Sequence, residues 1–259
     1  MDKLPTARAH ATRKSPISLS NWIVRLVLGV AILAALRLLY LVVIFVALGQ
    51  IRFNQAYMVP FAQVELHSSN SFVRQGAAEA LGTIGPKAAT SLPDLLESIR
   101  KDSPDAAAAA AWAVGNIVGL DGHSGKSLDP EVLATLIDAL DHSDGEVRRY
   151  AAYAIGLIGP PACAATPELT RLLDDQHTAS TAVRALGEMG PAAQGSVQPM
   201  TALLSSQVWG VRLETLLALS RFDTLPKETI SAVRERLNDN DKRVRDAAER
   251  ALTYFDSNR

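Results

Sequence analysis

One motif recurs six times along the chain, and it limits the fold more than any other feature. The segments VRQGAAEALGTIGP from Val73, AAAAAAWAVGNIVG from Ala106, VRRYAAYAIGLIGP from Val147, TASTAVRALGEMGP from Thr178, VRLETLLALSRFDT from Val211 and VRDAAERALTYFDS from Val244 align without gaps. Their offsets are 33, 41, 31, 33 and 33 residues. One column is alanine throughout: Ala80, Ala113, Ala154, Ala185, Ala218 and Ala251. The next column is always apolar, and Ile84, Ile117, Ile158, Met189, Phe222 and Phe255 follow three residues later. Three- and four-residue spacing is the period of a helix buried on one face. Repetition every 31 to 41 residues is the mark of stacked supersecondary units.

Proline and glycine punctuate each unit. Gly85-Pro86, Gly159-Pro160 and Gly190-Pro191 read as stops of the first helix. Pro93, Pro130, Pro167, Pro199 and Pro226 read as openings of a second helix, where a missing N–H costs nothing. Apolar faces follow: Leu95, Leu96 and Ile99, then Val132, Leu136 and Leu140, then Leu169, Leu172 and Leu173. Pro60 reads as the opening of one further second helix, so the array starts near Tyr57. A single alanine-rich helix pair cannot bury its own apolar face, and stacking of neighbours completes the core. The alanine column implies close helix approach. The pairs Val73-Arg74, Val147-Arg148, Val211-Arg212 and Val244-Arg245 suggest a ladder, valine inside and arginine along the seam. Asp141, Asp144, Asp239 and Asp241 stand just upstream, as expected of helix caps and arginine partners. The predicted fold is all-α, a solenoid of about six helix pairs.

The pattern V-R-x-x-A-A-x-A-[LI]-G-x-I-G-P resembles HEAT repeats, in particular the short type named after the phycobilisome bilin lyases, over about residues 57–255. The resemblance implies an α-solenoid and, for most members, a scaffolding role. It also implies two enzyme-related alternatives: bilin lyase subunits, and deoxyhypusine hydroxylase, which binds iron through paired His-Glu dipeptides. None of His10, His67, His123, His142 and His177 is followed by glutamate.

Ahead of the repeats, Leu26 to Gly49 reads LVLGVAILAALRLLYLVVIFVALG, interrupted by one charge, Arg37. At about 1.5 Å per residue such a run spans a bilayer core. A central arginine costs about 2.5–3.5 kcal/mol on the insertion scale, and each Leu, Ile, Val or Phe returns about 0.3–0.6, so insertion wins. Ala47-Leu48-Gly49 imitates a signal cleavage site, but the long polar head and long apolar run favour a retained anchor. Lys3, Arg8, Arg13, Lys14 and Arg25 precede the run and Arg52 follows it, so the positive-inside rule puts the N-terminus in the cytosol. The body is then periplasmic in a bacterium, or otherwise non-cytosolic; a mitochondrial presequence is the weaker reading of the same head. Arg37 has two readings, a tolerated charge or a contact with an acidic group on a partner transmembrane helix. The expected organisation is a basic tail over 1–21, a transmembrane helix over 22–51, a linker over 52–56, repeats over 57–255 and a tail over 256–259.

Charge divides along the same line. Residues 1–53 carry seven Lys and Arg against Asp2, a net +6, leaving −7 for the rest. An acidic body lacks the basic stripe of a nucleic-acid binder. Cys163 is the only cysteine, which excludes an internal disulfide and a multi-cysteine zinc site.

The stretch GLDGHSGKS, residues 119–127, imitates a phosphate-binding loop, but that loop would need glycine where Leu120 stands, and no strand precedes it. His67, His142 and His177 fall near successive repeat junctions, roughly 10 Å apart by helix packing distance, too far for one ion. Trp112 and Tyr153 share a column with Glu79, Arg184, Leu217 and Arg250, which reads as solvent-facing. Paired aromatics there suggest a contact surface, and packing against long neighbours is the even alternative. The second helices are expected to line the concave face, with Asp94, Glu97, Glu131, Asp138 and Glu168 acidic in the first half and Arg171, Arg234 and Arg236 basic later. No catalytic, cofactor or metal constellation stands out. The expected function is a membrane-anchored scaffold for a protein partner, without enzyme activity.

Overall fold

A computed structural model describes residues 55–119 and 128–257. The tail 1–21, the apolar run 22–51 with Arg37, residues 52–54 of the linker and the loop 120–127 lie outside the described residues. Among the described residues no helix is long and apolar enough to cross a membrane.

A 3-10 turn, Gln55–Met58, leads into α1 (Val59–Leu66). There follow α2 (Ser71–Ile84), α3 (Leu92–Lys101), α4 (Pro104–Gly119), α5 (Pro130–Ala139), α6 (Gly145–Ile158) and α7 (Thr166–Arg171). The chain continues through α8 (Ala179–Met189), α9 (Val197–Ala202), α10 (Trp209–Leu219), α11 (Lys227–Glu235) and α12 (Lys242–Ser257). Even-numbered helices are the first helices of the repeat and odd-numbered ones the second. The described helices thus make five complete pairs, with α1 before them and α12 after. α12 runs through Ser257, past the boundary expected at residue 255, because no glycine or proline interrupts it.

The joints follow from residue chemistry. Asn70 and Asp144 cap α2 and α6, their side chains accepting from Phe72 N (3.0 Å) and Glu146 N (2.8 Å). α2, α6 and α8 end at Gly85, Gly159 and Gly190, with φ of 69°, 70° and 54°. Side chains rarely tolerate that backbone region, so glycine is needed there. A short 3-10 segment then carries the chain to the second helix.

Successive first helices form the tight spine of the array. The reason lies in two columns of the motif. A methyl group built on Gly115 would lie 2.7 Å from Ala154 Cα, and one on Gly187 would lie 2.7 Å from Ala218 Cα. Gly156 faces Ala185 at 3.1 Å, and Gly82 faces Ala113 at 2.8 Å, measured the same way. Glycine on one helix therefore receives alanine from the next, and backbones touch. Ala113, Ala154, Ala185, Ala218 and Ala251 are all buried. Ala80 departs from the expected column and is exposed, because no first helix precedes α2 among the described residues.

The same end of the array is apolar on its outside. Val59, Ala62 and Leu66 of α1 face the core. Phe61 and Val64 of the same helix, with Tyr57 before it and Phe72 at the start of α2, are exposed.

Arginine rungs join α2, α6 and α10 to the junction that follows each unit. Arg74 pairs with Asp102 at 2.6 Å, Arg148 with Asp175 at 2.7 Å and Arg212 with Asp239 at 2.6 Å. The upstream loops contribute carbonyls: Arg74 donates to Ser68 O, Arg148 to His142 O and Arg212 to Ser206 O. The expected pairing with upstream acids is thus corrected. Asp144 caps its own helix, Asp141 meets Arg171, and Asp239 meets the arginine behind it, while Arg245 takes only loop carbonyls. Ala107 and Ala179 hold the arginine position in α4 and α8, so rungs occur in alternate units.

Candidate functional site

The charged residues singled out in the sequence stand on the second helices α3, α5, α7 and α11, while α9 carries no charge, and the structure divides them into two groups. Some are engaged within the array. Glu97 bonds Lys101 one turn on (2.8 Å), Glu131 takes Arg100 from the preceding second helix (2.9 Å), and Arg171 reaches Asp141 (2.7 Å). Asp94 stands 3.6 Å from His67. Lys101 beside Glu97 holds that carboxyl below its ordinary value. The remaining charges, Asp138 on α5, Glu168 on α7 and Arg234 on α11, form no ion pair among the described residues. Asp138 and Arg234 are exposed and Glu168 half-buried. The acidic character of the face therefore narrows to its middle.

Trp112 and Tyr153 are half-buried on the first helices and lie in different hollows. The ring of Trp112 rests over Gly82 of the preceding helix, packing that offsets the solvent exposure expected of its column. It lines a hollow of about 210 Å³ with Tyr150, which sequence reasoning did not single out. Tyr153 lines another, of about 350 Å³, with Leu157, Arg184 and Glu188. Arg184 of the same column is exposed, as expected. Trp209 is covered by the Arg243 guanidinium, 3.4 Å from its ring centroid, a link between α10 and α12. A third hollow, of about 570 Å³, is lined by Trp209, Arg212, Arg236, Asp239 and Asp241, whose charges already pair with one another or with neighbours.

The described histidines do not converge on one site. His67 sits by Asp94, and His142 Nδ1 accepts from Asp144 N at 3.0 Å. Among the described residues no group of three His, Cys, Asp or Glu is placed to hold a metal ion. The stretch resembling a phosphate loop falls almost wholly outside the described residues.

Comparison with known proteins follows the same architecture. HEAT repeats match residues 42–115, 93–179 and 166–253, most of the chain. The chain belongs to the HEAT-repeat family. No curated protein matches its sequence. Among solved structures, an engineered protein is similar at 23% identity, covering 77% of this chain and 97% of its own, with a TM-score of 0.61. A designed armadillo repeat protein in complex with the peptide (KR)4 is similar at 20% identity, covering 76% and 99%, with a TM-score of 0.60. The complex of CpcE and CpcF of phycocyanin lyase from Nostoc sp. is similar at 21% identity, covering 76% and 76%, with a TM-score of 0.57. At these identities the likeness is one of fold.

Proposed function

We propose that this HEAT-repeat protein is a membrane-anchored scaffold that binds a protein partner along its second helices. The observation that carries the reading is the row of second helices from α3 to α11, on which Asp138, Glu168 and Arg234 form no ion pair among the described residues. Repeat arrays bind through such extended surfaces. The designed armadillo protein with a peptide bound is a precedent for this use of the fold.

Anchoring rests on the apolar run within residues 22–51, which has the length and composition to span a bilayer. Tyr57, exposed at the start of the array, is a residue type enriched at membrane–water interfaces. The positive-inside rule favours a body outside the cytosol, and Arg37 is either a charge tolerated in the span or the contact for a transmembrane partner. No reaction of its own is assigned to the protein.

Proximity labelling from the C-terminus of the full chain in native membranes tests the scaffold. A discrete set of enriched proteins supports it, and enrichment no better than that of the free labelling enzyme refutes it. A C-terminal reporter that is active only in the cytosol should stay dark; a bright signal refutes the topology. Stoichiometric iron or tetrapyrrole on the purified chain would shift the reading to a hydroxylase-like or lyase-like subunit.

A further inference from the structure

The hollow beneath Trp112 and Tyr150 has a clear origin in the sequence. In the column where α2 carries Gln75 and α6 carries Arg149, the alanine-rich helix α4 carries Ala108. In the next column α6 carries Tyr150, α4 carries Ala109 and α2 carries Gly76. The short side chains of Ala108 and Ala109, with Gly76 beside them and Gln75 and Tyr150 around them, leave a gap across three consecutive first helices. Its volume, about 210 Å³, is below the roughly 300–1,000 Å³ of pockets for drug-sized ligands and suits a single side chain.

The lining decides what kind of side chain fits. Trp112 and Tyr150 offer half-buried aromatic rings, and Glu79, Asp105 and Glu146 supply one carboxylate from each of the three helices. No lysine or arginine lines the hollow. Glu79 is bonded to neutral Gln75, and Asp105 has no ion pair among the described residues. Aromatic faces and carboxylates both attract cations, and a partly desolvated site strengthens both effects. The chain itself displays this mode of binding. The Arg149 guanidinium lies 4.1 Å from the Tyr150 ring centroid while bonding the Glu146 carboxylate.

We propose that this hollow binds a lysine or arginine side chain from a basic segment of a partner protein. The proposal rests on the scaffold reading but uses a different face, the first helices instead of the second. The net charge of −7 beyond residue 53 draws a basic segment toward the array. Trp112 and Tyr150 then act as the walls, and Glu79 and Asp105 as the charge that fixes the cation.

The test uses full-length protein in detergent micelles and a fluorescein-labelled peptide of alternating lysine and arginine, read by fluorescence anisotropy at low salt. Ala108→Gln copies the residue of α2 in that column and fills the hollow. Glu79→Gln with Asp105→Asn discharges its rim. Asp138→Asn with Glu168→Gln alters the second-helix face and leaves the hollow intact. The expected result is binding weakened about tenfold or more by filling and by discharge, and by less than about twofold in the second-helix variant. Far-UV circular dichroism checks folding; if Ala108→Gln misfolds, the exposed rim variants carry the test alone. Absence of peptide binding by the wild type, or binding indifferent to both hollow variants, overturns the proposal. Binding lost only in the second-helix variant overturns it while leaving the scaffold reading standing. Failure of the scaffold reading shows separately, as absence of enriched proteins in native membranes.

Discussion

The Arg212–Asp239 rung is the most enclosed ion pair of the ladder, with side chains 11% and 3% exposed. Two short bonds, 2.8 and 2.6 Å, join the guanidinium to both carboxylate oxygens. Removing one partner of such a pair leaves the other charge in a dry place, at a cost of about 3–5 kcal/mol. Asp239→Asn should therefore lower stability by about 3 kcal/mol, read by urea denaturation at neutral pH. Asp141→Asn, in the open pair with Arg171, should stay within about 0.5 kcal/mol. The hydrogen bond from Arg212 holds the Asp239 carboxyl below its ordinary value of 3.8. A depressed carboxylate stabilises the fold above its unfolded pKa, and that contribution fades as pH falls through the folded one. The difference between wild type and Asp239→Asn should be complete at neutral pH and shrink below pH 3.8; a difference that ignores pH contradicts this account. The arginines were legible in the sequence as Val-Arg pairs. Their partners were not, because each lies 27 or 28 residues downstream and meets its arginine only after a whole unit has folded.

Helices in this array are spaced by the smallest side chains. The alanine column and the glycine two residues beyond it both stand in the motif, so the close approach of first helices is legible in the sequence. What the motif does not reveal is that glycine of one helix and alanine of the next are the two halves of one contact. That pairing separates two glycine substitutions that look alike in sequence. Gly115→Ala places a methyl 2.7 Å from the backbone of Ala154, so α4 and α6 must part; overpacking of this kind costs about 1–3 kcal/mol. Gly76→Ala meets nothing within 4 Å, and its better helix propensity should add up to about 1 kcal/mol. Thermal melts of the two variants should move in opposite directions. Ala154→Leu overpacks the same seam from the other side and should cost about 1–3 kcal/mol, while Arg184→Leu on the exposed column stays within about 0.5. Equal melts for that pair would undo the alignment of the six segments. The half-burial of Trp112 was hidden from the sequence for the same reason: the glycine that receives its ring belongs to another repeat.

Across the whole molecule, each HEAT unit leans only on its neighbours, so the surface grows with the number of units while the core stays thin. That geometry made the fold legible, since one local rule repeats along the chain. The candidate binding face was legible only in part. Its charged residues were identifiable, but which of them the array consumes depends on neighbours some 30 residues away, as with Arg100 and Glu131 or Arg171 and Asp141. What remains for a partner is Asp138 and Glu168 in the middle of the second-helix row and Arg234 on its last helix. The most direct measurement is photocrosslinking from that row in the full chain, within native membranes, with the reactive group placed at Asp138 or Glu168. The account predicts a discrete adduct with another protein from these two positions and none from Arg221, which pairs with Glu188 on the first-helix side. No adduct from either position, or the same adducts from all three, would contradict a partner-binding second-helix face.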